Sequence, residues 1–241
     1  MAPMIVTFTD FGAQGPYLGQ MEMAIRRLAP TVPVVHLLAD APMFDPRAAA
    51  YLLAALAVDV PHDAVMACVV DPGVGGSRAP LALRLDGRWL VGPDNGLFEP
   101  LIRRAVEVEA FEIAWRPDRL SATFHGRDLF APMAVRLAGG DVSGLRPVAT
   151  PRRLDWPDDL ARIIYLDHYG NAWTGLRASL LTDAGLALGD STIPRARTFG
   201  DVPKGRAFCY ENSSSLVEIA VNGGRASELP GIELGTIVTI C

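Results

Sequence analysis

Positive charge is scarce in this chain of 241 residues: 22 Lys and Arg stand against 27 Asp and Glu, a formal charge of −5 at pH 7. That balance argues against a nucleic-acid partner bound through a general basic surface. Lys204 is the single lysine, and the arginines are scattered, a pattern we read as coding bias. Cysteine is equally sparse. Cys68, Cys209 and Cys241 are an odd number at wide spacings, with no C-x-x-C pair for zinc or a redox dithiol. The longest apolar run, Ala48 to Val58, has 11 residues, well short of the roughly 20 that cross a bilayer, so no membrane partner is expected. Met1-Ala2-Pro3 leads into Met4-Ile5-Val6 without a charged n-region or an Ala-x-Ala cleavage site, and a cytoplasmic location is expected. His36, His62, His125 and His168 form no H-x-H, H-E-x-x-H or H-x₃₋₅-H pattern, and no G-x-S-x-G elbow is present. Neither a metal nor a serine nucleophile is expected.

What is present is enough apolar sequence, 50% of positions, for a large core. A chain of this length buries roughly 70–75% of the surface that its unfolded form exposes. The first 140 or so residues alternate β-branched runs with helical patterns, the signature of a largely parallel sheet covered by helices, an α/β domain of Rossmann-like type. Strands are expected at Ile5 to Phe8, Val32 to Leu38 and Ala64 to Val70, and helices at Leu18 to Leu28, Pro46 to Val58, Phe98 to Val106 and Leu129 to Leu137. A hairpin is expected from Leu81 to Leu85 and Trp89 to Val91 around Asp86-Gly87. Pro147, Pro151 and Pro157 then punctuate a Gly/Pro-rich stretch, so domains are placed at 1–145 and 160–241 with a linker between. The second is expected to be all-β, with strands at Arg162 to Leu166, Arg206 to Tyr210, Leu216 to Val221 and Thr236 to Ile240.

Polar residues bunch at the ends of the expected strands, where open α/β sheets bind ligands. Thr9-Asp10-Phe11-Gly12 follows the first strand, and Asp10 is either a turn cap or a carboxylate accepting hydrogen bonds from the hydroxyls of a bound ribose or sugar. Asp71-Pro72-Gly73-Val74-Gly75-Gly76-Ser77-Arg78 follows the most hydrophobic strand. It lacks the G-K-S/T ending of a phosphate loop and the G-x-G-x-x-G spacing of a dinucleotide site. A tight turn with an Asp71–Arg78 ion pair is its structural alternative. Pro93-Asp94-Asn95-Gly96 opens a helix, with Asp94 read as a cap. Thr123-Phe124-His125-Gly126-Arg127-Asp128 precedes another, and His125 is either a buried imidazole held by a carboxylate or a polar partner for a reacting water. Ser213-Ser214-Ser215, after Glu211-Asn212, reads as a solvated loop or as part of a site.

Taken in order, these segments resemble one family closely, the adenosine-forming S-adenosyl-L-methionine hydrolases, or hydroxide adenosyltransferases, related to the fluorinase and chlorinase enzymes. The motifs are T-D-F-G at 9–12, D-P-G-V-G-G-S-R at 71–78, P-D-N-G-L at 93–97, F-H-G-R-D at 124–128, D-H-Y-G-N at 167–171 and N-S at 212–213. The resemblance covers essentially the whole chain. It implies an N-terminal α/β domain, a C-terminal β-barrel-like domain, and a homotrimer whose active sites lie between subunits. It implies S-adenosyl-L-methionine as substrate rather than cofactor, no other cofactor, and release of adenosine and L-methionine, with action on the epimer at sulfur an open variant. Asp71, Arg78 and His125 match the positions that handle the attacking water. Asp10 matches the ribose ligand, and Phe44 falls near the aromatic that packs on the nucleoside. Asn95 falls in P-D-N-G-L. Asp167, Tyr169, Asn171, Trp173, Asn212 and Ser213 fall in or beside motifs that contact adenine and methionine.

In the halogenases the Asp71 and His125 positions are both Tyr and a longer insertion follows the first loop, whereas here 15 residues separate Arg78 from Asp94. Hydrolysis is favoured. Halide transfer to C5′ and a binding protein without turnover remain the alternatives. Tyr169 departs from the usual Phe, Ser214-Ser215 from Phe-Gly or Arg-Gly, and Thr174-Gly175 from Thr-Asn.

Overall fold

Alternation of apolar runs and amphipathic stretches builds the first half of the computed structural model, which describes residues 3–241. The chain divides into two compact units, the first ending at Asp155 and the second running from Trp156 to Cys241. In the first, chain order is β1 (Ile5–Thr9), α1 (Tyr17–Leu28), β2 (Val34–Leu38), α2 (Pro46–Leu56), β3 (Val65–Val69), β4 (Pro80–Leu85), β5 (Arg88–Pro93), α3 (Glu99–Arg104), β6 (Val108–Ile113), α4 (Ala131–Ala138) and β7 (Leu145–Pro147). They form one seven-stranded sheet in the order β2-β1-β3-β5-β4-β6-β7. Its β2-β1-β3-β5 half is parallel, and β4, β6 and β7 extend it antiparallel.

β1 and β3 are buried at every position, as strands covered on both faces must be. Ile5, Val65, Ala67 and Val69 pack against α1 through Met21 and Ile25 and against α4 through Met133, Ala134 and Leu137. The alternate residues Val6, Phe8, Met66 and Cys68 point to the opposite face and are also buried. α2 starts where Asp45 accepts a hydrogen bond from the Ala48 amide at 2.9 Å and Pro46 supplies a preset first turn. The expected hairpin closes through Asp86 (φ 48°) and Gly87 (φ 87°), the left-handed pair that matches strand twist in a two-residue loop.

Residues 145–155, part of which the sequence places in a linker, are tied to the first unit. β7 pairs with β6, and the Glu99 carboxylate accepts hydrogen bonds from the Arg153 amide (2.7 Å), Arg103 Nε (2.7 Å) and Arg152 Nε (3.3 Å).

The second unit contains β8 (Leu160–Leu166), β9 (Ala172–Arg177), β10 (Leu186–Leu188), β11 (Ser191–Ile193), β12 (Ala207–Glu211), β13 (Leu216–Val221) and β14 (Thr239–Ile240). They make an antiparallel four-stranded sheet, β12-β13-β9-β8, and a three-stranded sheet, β11-β10-β14. Their shared core includes Ile163, Ala172, Leu176, Leu186, Val217, Ile219 and Val238. β9 has no counterpart among the strands expected from sequence, yet it holds an inner position. No helix among the described residues is long and apolar enough to cross a membrane.

Candidate active site

The parallel half of the sheet delivers its polar loops to one end. β1 and β3 are neighbours in register, Thr9 beside Val69, so the chain leaves them at adjacent points with Asp10 and Asp71 as the first acidic residues. Gly75 lets the 71–78 loop turn back. Its φ is +77°, and a Cβ there would lie 2.3 Å from the Ala122 carbonyl oxygen. That close approach brings the loop against the segment carrying His125. A five-residue π turn, Gly126–Phe130, follows His125 and runs directly into α4. Such turns interrupt a helix frame and recur at functional sites.

Asp71, Arg78 and His125 meet there. Arg78 Nε donates to both Asp71 oxygens, at 3.1 and 2.9 Å, and Nη2 forms a further short bond to Oδ2. The same Nη2 lies 2.8 Å from His125 Nδ1. A guanidinium only donates. Nδ1 is therefore the acceptor, and the ring proton of the neutral imidazole sits on Nε2. The Asp71 and Arg78 side chains are only 4% and 10% exposed, and the guanidinium carbon lies 5.3 Å from the centre of the Phe130 ring. Burial, then the Arg78 charge, lowers the His125 pKa from its ordinary 6.5, with Asp71 opposing. Such a pair of causes favours the neutral ring.

An open cleft of about 560 Å³ faces this network, lined by Asp10, Tyr17, Phe44, Asp71, Phe124 and His125 among others. The size is ordinary for a small-molecule site. Phe11, Tyr17 and Phe124 form an aromatic cluster with centroids 5.5 to 6.3 Å apart. Arg78 does not line the cleft and stands behind Asp71 and His125. At the rim Phe44 is 71% exposed with φ at 58°, a strained backbone for an aromatic residue. Its amide donates to Asp10 Oδ2 at 3.3 Å. Burial raises the Asp10 pKa despite that hydrogen bond. Asn95 is used within the fold: Nδ2 donates to the Val70 carbonyl at 2.8 Å and Oδ1 accepts from the Leu97 amide at 3.2 Å. It pins the start of the 71–78 loop and is not among the cleft-lining residues.

The other candidates lie in the second unit. Asp167 closes a turn by accepting from the Asn171 amide (2.8 Å) and Asn171 Nδ2 (3.1 Å). Tyr169, at the tip of that turn, is 73% exposed. Trp173 meets Tyr165 edge-on at 6.0 Å, and its indole Nε1 is buried without a hydrogen bond. Asn212 and Ser213 line an open polar groove with Arg195 and Arg197. Two features of the structure lie outside the expected site residues. Phe11, Tyr17 and Phe124 were legible as aromatics within or beside the polar motifs. Glu218, which bonds to Asn212, stands alone as an acid in the apolar run Leu216 to Val221. Among the described residues, no group of three or more His, Cys, Asp and Glu side chains is gathered as metal ligands would be.

Comparison with known proteins agrees along the whole chain. Residues 5–145 match the family described as SAM hydroxide adenosyltransferase N-terminal domain, and residues 161–239 match the corresponding C-terminal domain. A protein of Thermus thermophilus named (R)-S-adenosyl-L-methionine hydrolase is 39% identical over 255 residues, spanning 96% of this chain and 97% of its own. One of the same name from Salinispora arenicola is 37% identical over 250 residues, spanning 97% and 95%. The crystal structure of an uncharacterized conserved protein from Thermotoga maritima superimposes with a TM-score of 0.88 at 28% identity, covering 99% of this chain and 100% of that one. That of a conserved hypothetical protein from Thermus thermophilus gives a TM-score of 0.79 at 34% identity, with the same coverage.

Proposed function

Because the chain belongs to the SAM hydroxide adenosyltransferase family, we propose that it hydrolyses S-adenosyl-L-methionine to adenosine and L-methionine. The form with R configuration at sulfur, named in its relatives, is the proposed substrate. One observation carries the reading: Arg78 ties Asp71 and His125 together at the floor of a cleft on the carboxyl ends of parallel strands.

The chemistry asks little beyond placement. Sulfur in the substrate is already cationic, so the C5′–S bond breaks with its electron pair going to sulfur, and methionine leaves as a neutral thioether. No general acid or cofactor is required. Water must lie in line behind C5′ and present a lone pair to it. Asp71 accepts one hydrogen from that water, and His125 Nε2–H donates to its oxygen. As the C–O bond forms, the water oxygen becomes positive and strongly acidic. Its proton passes to Asp71 and on to solvent, balancing the lost sulfonium charge. Positioning of this kind supplies several kcal/mol of barrier reduction, on the order of that seen for preorganised sites. Asp10 is assigned to the ribose hydroxyls and Phe44 to the nucleoside face. Asp167, Tyr169, Asn171, Trp173 and Ser213 are assigned to the adenine and methionine ends, Asn95 and Asn212 to the loops around them, and a homotrimer with sites between subunits is part of the same proposal.

The test is to incubate purified protein with each sulfonium epimer, with and without chloride, and identify products by mass. Adenosine and methionine are expected, faster from the R form and indifferent to chloride. Formation of 5′-chloro-5′-deoxyadenosine would assign halide transfer instead, and intact bound substrate would assign a binding protein.

The lowered His125 pKa adds a pH dependence. Above that pKa the ring is neutral and accepts from Arg78. Below it, imidazolium and guanidinium face each other and the hydrogen bond is lost. Activity is therefore expected to fall on acidification, with a midpoint in kcat/KM below 6.5, the ordinary histidine value. The stability linked to the neutral ring is likewise present above the unfolded pKa and lost as pH falls through the folded one. A pH–rate profile in the unaltered protein and in His125→Asn checks this, and a midpoint at or above the ordinary value would contradict it.

A further inference from the structure

Glu218 is a charged residue at the centre of β13, and its side chain is not at the surface: the residue is 2% exposed. Burying a carboxyl is costly unless its oxygens are matched by donors. Here they are. Tyr210 donates its hydroxyl to Oε1 at 2.6 Å, and Asn212 Nδ2 donates to Oε2 at 2.9 Å. Cross-strand pairing places Tyr210, Glu218, Trp173 and Tyr165 in one row across β12, β13, β9 and β8. Val217, Ile219 and Val221 point to the other face, into the core of the unit.

The orientation of Asn212 follows from its surroundings. Its Oδ1 accepts from the amides of Ser214 and Leu216, both at 3.0 Å, so Nδ2 must face the carboxyl. Asn212 in turn organises a tight turn in which Ser215 has φ at 58° and its amide donates to the Asn212 carbonyl at 3.0 Å. Asn171, already bonded to Asp167, also lies against Glu218; burial raises the Glu218 pKa, and the hydrogen bonds from Tyr210, Asn212 and Asn171 oppose that rise. One buried carboxyl thus stands behind both polar loops of this unit, 167–171 and 212–216.

We propose that Glu218 is a positioning residue that sets the conformation of these two loops and so the affinity for the amino-acid end of the substrate, without touching the reacting atoms. The inference rests on the hydrolase reading for what the loops bind, and on the hydrogen bonds alone for how they are held. No motif singles out Glu218, because its role depends on neighbours across the sheet.

The experiment is a polarity swap. In Glu218→Met, close in length and shape, both acceptor oxygens are lost, and Asn212 Nδ2 and the Tyr210 hydroxyl are left buried without their acceptor. KM for S-adenosyl-L-methionine is expected to rise at least about tenfold, the scale of one buried donor left without an acceptor, with kcat nearly unchanged. Asn212→Asp, which sets two carboxylates together, is expected to raise it similarly. The double variant Glu218→Gln with Asn212→Asp reverses donor and acceptor. The amide introduced at position 218 donates to the carboxylate introduced at position 212, whose other oxygen still accepts from the Ser214 and Leu216 amides. It is expected to recover most of the loss. Hydrogen exchange at the Ser214 and Leu216 amides reads the same effect without turnover, faster in each single variant and restored in the double. An unchanged KM in Glu218→Met, or a double variant no better than the single variants Glu218→Met and Asn212→Asp in both KM and exchange, overturns the proposal. Absence of adenosine from the unaltered protein would instead overturn the hydrolase reading, and amide exchange would still decide whether Glu218 holds the loop.

Discussion

An Arg78→Ala variant is expected to form adenosine at least about 100-fold more slowly than the unaltered protein at saturating substrate, within the range for groups that organise acid–base chemistry. Arg78 makes the contacts that define the site. It bonds to both oxygens of Asp71 and to His125 Nδ1, and so couples a residue after β3 to one that precedes the π turn. Without the guanidinium, the Asp71 side chain, 4% exposed, has lost its countercharge and His125 has lost the donor that selects its tautomer. Either loss moves the water. Arg78→Lys is the informative companion, because a single ammonium restores charge but cannot reproduce the fork that serves the carboxylate and the imidazole together. It is expected to recover part of the rate. The measurement is kcat from adenosine release, with circular dichroism to verify folding. Full activity in Arg78→Ala would remove the network from the mechanism.

The largest effect on stability is expected at Glu99→Ala, a loss of about 3–5 kcal/mol, the scale for removing one partner from a buried ion pair. Against a typical total of about 5–15 kcal/mol this is severe. The Glu99 side chain is 2% exposed and is held by Arg103 and Arg152, while its second oxygen accepts from the Arg153 amide. Arg153 in turn reaches Asp94 at 3.1 Å, in the turn that leads to α3 and beside Asn95. The clamp therefore ties residues 152–153 to the turn before α3, whose Asn95 pins the start of the 71–78 loop. Urea unfolding, followed through amide exchange in the first unit, is expected to show a lowered midpoint for Glu99→Ala and a smaller shift for Glu99→Gln. Equal midpoints would show that the clamp contributes nothing.

Much of the architecture was legible because it follows from local pattern. β1 and β3 announce themselves as apolar runs ending in Asp10 and Asp71, and the Asp86-Gly87 hairpin by its turn chemistry. β9 was not legible. Trp173-Thr174-Gly175 breaks the apolar pattern, and its place between β13 and β8 depends on partners distant in sequence. The boundary was blurred for a similar reason. Three prolines suggest a linker, but Glu99 holds Arg152 and Arg153 from more than fifty residues away. At the site, residue types and motif order pointed to Asp71, Arg78 and His125, while the hydrogen bond between Arg78 and His125 spans 47 residues and needs the fold. Asn95 and Asn212 sit in the expected motifs, yet their side chains brace loops, a distinction that hydrogen-bond partners alone reveal.

In the proposed mechanism a water molecule held by Asp71 and His125 attacks C5′ of the sulfonium substrate. The decisive measurement is to run the reaction in water enriched in oxygen-18 and locate the label by mass spectrometry. Adenosine carrying the heavy oxygen at its 5′-hydroxyl and unlabelled methionine are expected. Unlabelled adenosine, or a 5′-halogenated nucleoside in its place, would contradict that mechanism.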